Sequence, residues 1–171
     1  MKTRMLGLLL AVLVAPPGNA TDLLLAFNGG IGVDPVSGIN AATGLPTPNV
    51  VRNVGPGGAL WRIGSLRADI DVTGRIKVVG RGLLLAGGNG IGTNAGQSVH
   101  AILFCGPAAT ATMRTTTVAG VALAANGDFR IDDTLTPAPP ASCTTPVLLI
   151  ANPAPRWFAA GILASDEEGD D

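Results

Sequence analysis

Tyrosine is absent from this chain, histidine occurs once, and both glutamates fall in the last five residues. Only Phe27, Trp61, Phe104, Phe129, Trp157 and Phe158 carry rings. So few aromatics argue against a sugar-stacking platform or a base-stacking face. With no glutamate in the body, a glycosidase pair would have to come from aspartates alone. Cysteine occurs only at Cys105 and Cys143, so a zinc site would keep a single imidazole if those thiols pair. Charge is sparse as well, at 13 % of residues. Five acids (Asp166, Glu167, Glu168, Asp170 and Asp171) crowd the C-terminal end, and residues 21–165 hold nine basic against seven acidic side chains, nearly neutral. Such a body has no broad attraction for nucleic acid or anionic lipid, and no nucleic-acid partner is expected.

Apolar residues are abundant, at 47 %, and glycine and proline number 24 and 13. That hydrophobicity is too high for a chain kept unfolded by polarity. Apolar segments interrupted by so many turn formers read as short strands joined by tight turns.

The first twenty residues have the layout of a secretory signal peptide. Lys2 and Arg4 precede the apolar run Met5 to Ala15, and Pro16-Pro17-Gly18-Asn19-Ala20 supplies small residues at −3 and −1 of a cut. The run is too short to cross a bilayer, and no Cys follows the cut to carry a lipid. Residues 1–20 are therefore expected to be removed and the product to be secreted or periplasmic. Removing 20 of 171 residues leaves 151, enough for one domain with a real core and with no further transmembrane segment. In an oxidising compartment Cys105 and Cys143 are expected to form one structural disulfide, with a reactive or intermolecular thiol as the alternative.

Strand patterns fill the rest. Leu66, Ala68, Ile70 and Val72 alternate with Arg67, Asp69 and Asp71, which predicts one buried and one wet face. Thr73-Gly74 reads as a tight turn into Arg75–Leu85. Ser98–Cys105 is apolar on both sides, and Thr110–Thr117 reads as an edge strand. Asn126-Gly127, between Val121–Leu123 and Asp128–Leu135, is the strongest hairpin signal. Pro146–Ala151 and Arg156–Ile162 form a last hairpin. Toward the N-terminus, Thr21–Phe27 is a strand ended by Asn28-Gly29-Gly30, residues 34–49 form a long loop, and Asn49–Val54 is a short strand. Together these predict an antiparallel β-sandwich, with a barrel as alternative, of about eight or nine short strands. The domain is expected over 21–164, followed by a disordered acidic tail over 165–171.

No stretch assembles an active site, and no catalytic, cofactor-binding or metal-ligating residue is assigned. The loops Asn28–Gly32 and Gly87–Gly92 lack the following helix and nearby Lys of a phosphate cradle. His100 could join Ser98 or Ser65 and an aspartate in a hydrolytic relay, but no nucleophile-elbow spacing accompanies it. A structural histidine is the simpler reading. Asp128, Asp132 and Asp133, near Asn126, could offer oxygens to Ca²⁺ without EF-hand spacing. A hairpin with polar ends accounts for them equally.

The stretches Gly57–Ile63, Ala68–Val78, Gly82–Leu85, Ala101–Cys105, Gly127–Ile131, Cys143–Val147 and Trp157–Gly161 resemble a group of small secreted bacterial β proteins. That resemblance implies a fold and an exported setting and carries no catalytic residue to transfer. The order of elements is also similar to chordin-type (CHRD) β-domains, whose His-x-His strand corresponds here to Val99-His100-Ala101-Ile102. It implies an extracellular β-domain. The expected function is thus a non-enzymatic envelope, extracellular or interaction module that contacts a macromolecule or itself. The alternatives are a small-ligand or Ca²⁺-dependent binder using the loops 87–96 and 34–49, and a hydrolase centred on His100.

Overall fold

Alternation and glycine placement decide how this chain folds. A computed structural model describes residues 22–165; the leader and the acidic segment after Ser165 lie outside the described residues. The strands are β1 (Leu23–Gly32), β2 (Val36–Ile39), β3 (Pro46–Pro48), β4 (Gly55–Pro56) and β5 (Trp61–Arg62). Next come β6 (Ser65–Asp71), β7 (Arg75–Arg81), β8 (Leu84–Leu85), β9 (Ser98–Cys105) and β10 (Thr112–Thr115). The last four are β11 (Val121–Ala122), β12 (Phe129–Thr134), β13 (Val147–Ala151) and β14 (Arg156–Leu163). No helix occurs among the described residues, and none is long and apolar enough to cross a membrane.

Eight strands form one antiparallel path in the order β10, β9, β13, β14, β1, β6, β7, β12. Its two ends nearly meet. Thr115, the last residue of β10, and Thr136, just beyond β12, exchange backbone hydrogen bonds of 2.9 and 2.8 Å. The result is a single barrel-like sheet, the second of the two all-β forms that the strand pattern allows. Closing the path leaves few unpaired edges.

Residues opposite one another in an antiparallel ladder share a face. Phe27 faces Ala68, Ala68 faces Val78, and Val78 faces Ile131. On the other wall Leu148 faces Leu103 and Ile150 faces both Ala101 and Ala159. All of these are buried and fill the barrel. The alternation read along 66–70 and 75–81 is this interior face, with Arg67, Asp69, Lys77 and Arg81 on the solvent side; Val72, expected on the buried face, lies past the end of β6 and is exposed.

Strands β9 and β13 are buried on both faces. Their outward residues include His100, Ile102, Phe104 and Leu149, which the segment 49–57 accompanies along the outside. Arg52 donates to the Gly106 carbonyl at one end of that face, at 2.9 Å. Trp157 donates its indole N–H to the Asn49 carbonyl, also at 2.9 Å. At the other end β4 pairs in parallel with the start of β14. Between these anchors Val51 and Val54 join the same apolar cluster. The expected strand over 49–54 is therefore a turn, closed by a Val51–Val54 bridge, with Arg52 and Asn53 at positive φ.

Two other expectations also change. Asn28-Gly29-Gly30 does not end β1; it makes a bulge, and pairing with β14 resumes at Gly30 and runs to Gly32. Gly29, at φ 104°, takes the backbone shape that the bulge requires. The Asn126-Gly127 turn forms, with Gly127 N–H on the Ala124 carbonyl, but its two arms diverge. β11 pairs with β9, and β12 pairs with β7.

Both ends of the described chain leave one rim of the barrel. Leu163 lies opposite Phe27, and the Ala164 N–H reaches the Ala26 carbonyl. The other rim is covered by Leu83, Trp61 and the short β5–β8 pair. Here Gly32 is tightly boxed: a Cβ on it would run into the Trp61 carbonyl and lie 2.7 Å from Arg62 Cα.

Candidate functional site

Cys105 and Cys143 form the expected disulfide, tying the end of β9 to the segment before β13. Among the described residues no free cysteine remains.

His100 sits mid-strand in β9 and is only 2 % exposed. Its Nδ1 has no hydrogen-bond partner. Burial pushes its pKa below the ordinary 6.5, with the Ala151 backbone opposite pulling more weakly the other way. Ser98 lies two residues away on the same strand, whereas Ser65 belongs to β6, on the opposite wall of the barrel path. The geometry does not join His100 and Ser65 in a relay.

The three aspartates considered for Ca²⁺ are each engaged separately. Asp128 accepts the Gly82 N–H at 3.0 Å and the Asn126 side-chain amide at 3.0 Å. Asp132 pairs with Arg75 at 2.9 Å on the solvent face. Asp133 shares the interior-facing register of Phe129 and Ile131 and accepts the Thr117 and Thr134 N–H groups at 2.8 and 2.7 Å. These hydrogen bonds, Thr117 first, hold its pKa below the ordinary 3.8 against a smaller opposing effect of burial. Among the described residues no three His, Cys, Asp or Glu side chains gather as metal ligands.

The glycine loops also part company. Asn28–Gly32 is strand, while the 86–97 loop folds back on itself through Leu85 N–H to Thr93 O and Gly92 N–H to Leu85 O. Asn94 ties it to the Leu123 and Ala124 carbonyls. Beside it lies an open groove of about 310 Å³ walled by Gly57, Trp61, Leu85, Gln97, Arg156 and Phe158. Trp61 and Phe158 stack with centroids 4.3 Å apart. Asn152 is spoken for, donating to Gln97 and accepting the Arg156 N–H. The Arg156 guanidinium lies over Gly55, with no ion pair among the described residues.

The second feature is a ribbon. The long loop expected over 34–49 contains β2 and β3, an antiparallel pair hydrogen-bonded only to each other. Every residue of both strands is exposed. Asn40 organises the tip by accepting the Ala42 and Thr43 N–H groups and donating its own to Leu45 O. Ile39 and Leu45, each 64 % exposed, stand near the tip, and Val36 and Val50 near the base. No charged residue occurs between Asp34 and Arg52.

Neither the groove nor the ribbon could be assembled by motif. The groove draws on four separate segments, and the ribbon is disguised by Gly, Pro and Asn that read as loop. The signal available was the uncharged run 35–51, long for a connection. No family model, curated protein or solved structure matches this chain.

Proposed function

We propose that this protein is an exported, non-catalytic binding module that acts by surface contact. One observation carries the reading: an uncharged ribbon with four exposed aliphatic side chains projects from the barrel with no core behind it. An isolated two-stranded hairpin is marginal in water, so such a ribbon gains from a partner that covers it. The chemistry-bearing side chains are meanwhile used internally, His100 in the core and Asp128 and Asp133 on backbone amides. The leader-like first twenty residues and the disulfide support an oxidising, extracytoplasmic setting.

The test compares mature wild type with an Ile39→Lys/Leu45→Lys variant for retention on the producing cells' envelope and matrix, alongside ester, peptide and glycan turnover. The folded variant should lose retention, and neither protein should turn over substrate. Turnover abolished by His100→Ala, or retention indifferent to the ribbon, would defeat the proposal.

A second reading rests on the groove. Arg156, without an ion pair among the described residues, lines the same groove as the stacked Trp61–Phe158 pair and suits a small ligand with an apolar body and a carboxylate. Melting-temperature shifts with small aromatic carboxylates, lost in Arg156→Gln, would support it; no shift across such a panel would remove it.

A further inference from the structure

The two edges of the ribbon are not equivalent. Asn40 and Leu45 are hydrogen-bonded across the ribbon, so by alternation Thr47, opposite Gly38, also turns its polar groups inward. The flanking Pro46 and Pro48 alternate outward and have no N–H to offer. The outer edge of β3 is therefore without donors. On β2 the Asn40 N–H points inward, to the Leu45 carbonyl. By alternation Ile39 turns its N–H and C=O outward, on an edge that no strand among the described residues covers.

We infer that β2 pairs antiparallel with β2 of a second copy of this chain, making a closed dimer with a four-stranded ribbon. This rests on the surface-contact reading above and names its partner. Three features of the ribbon favour a second copy. It is uncharged, so an identical surface meets it without stranding a charge. Its open edge is self-complementary under a two-fold axis, which places Ser37 of each copy, at the register shift of β2 and with its hydroxyl on the Thr47 and Pro48 carbonyls, against Ile39 of the other. Because β3 is blunted by proline, pairing stops at two chains and cannot grow into a filament. A contact confined to two ribbons covers at most ~1,200 Å², the low end for specific interfaces, so the dimer is weak and concentration-dependent.

The axis passes at Gly38, whose backbone polar groups face β3. The two Gly38 residues then form a non-hydrogen-bonded pair, with Cα atoms about 4.5 Å apart, within disulfide reach. A Cβ on Gly38 meets nothing within 4 Å, so cysteine fits there.

The mature protein is examined by light scattering and sedimentation over a wide concentration range. Wild type should pass from monomer to dimer and no further. Ile39→Pro removes the outward N–H together with the exposed aliphatic side chain, so Ile39→Ala is its control; the proline should raise the dimer dissociation constant roughly tenfold or more beyond the alanine. Gly38→Cys should give a covalent dimer under mild oxidation. A dimer insensitive to Ile39→Pro, with Gly38→Cys unlinked, places association elsewhere and overturns the inference. A monomer at every concentration, with Gly38→Cys unlinked, also overturns it. The surface-contact reading survives that last outcome if Ile39→Lys/Leu45→Lys still abolishes envelope retention, and falls with it if retention is unchanged.

Discussion

The Asp133 carboxylate accepts the Thr117 N–H at 2.8 Å, across the seam where the barrel path closes. Among the described residues only the Thr115–Thr136 bridge joins the same two ends by backbone alone. Asp133→Ala should therefore cost about 1 kcal/mol, toward the lower end for charge-assisted hydrogen bonds because this site is partly solvated. Denaturant unfolding would measure it, and amide exchange at Thr117 should accelerate more than exchange in β13. Its depressed pKa adds stability that is present above the unfolded value near 3.8 and lost as pH falls below it.

His100 sets a second, higher pH limit. Its folded pKa lies below 6.5, so the folded state binds its proton less readily than the unfolded chain. Stability from this group is complete above 6.5 and declines as pH falls below that value toward the folded pKa. Melting temperature measured from pH 8 to about 5, above the range where carboxylates protonate, should fall for wild type and stay flat for His100→Leu. An equal fall in both would mean that another group titrates.

Removing the disulfide through Cys105→Ser/Cys143→Ser should lower stability by about 2–4 kcal/mol, since it closes a long loop in the unfolded chain. The double variant, compared with wild type in urea, avoids a stray thiol. An unchanged midpoint would show that the barrel holds the 106–146 segment unaided.

Two glycines separate close approach from simple loop tolerance. Gly32→Ala drives a methyl into the Trp61–Arg62 backbone and should cost about 1–3 kcal/mol or more. Gly38→Ala points into open space and should stay within about 0.5 kcal/mol of wild type. Thermal unfolding of the pair decides it; similar losses would refute the packing account of the capped rim.

Trp157→Phe keeps the ring and removes the N–H that holds Asn49. The expected loss is about 1 kcal/mol, with increased amide exchange over 49–54 as the local signature.

How far the sequence spoke depended on what each residue could report about itself. Leu66 to Ile70 announced a half-buried strand because period-two patterning is local, though the pattern ran one step too far, to an exposed Val72. The double burial of Ser98–Cys105 was legible too, since both faces are apolar. What covers the outer face was not, because Val51 and Val54 sit in a turn with positive φ at Arg52 and Asn53, a shape that reads as strand from composition. Gly29 misled in the opposite sense: a glycine pair that usually stops a strand here bends it. Asn126-Gly127 specified its turn but could not say that the arms serve different neighbours. Groove and ribbon needed the third dimension, since Trp61, Gln97 and Phe158 converge only through the barrel path.

The shared rim of Asp22 and Ser165 gives the molecule a polarity. A linker of a few residues could join those ends, and new termini opened at Ala41–Ala42 would leave every barrel pairing intact, so a circular permutant should fold. By the same geometry, an anchor fused at either terminus would hold the barrel by its base and point the ribbon away from the surface that bears it.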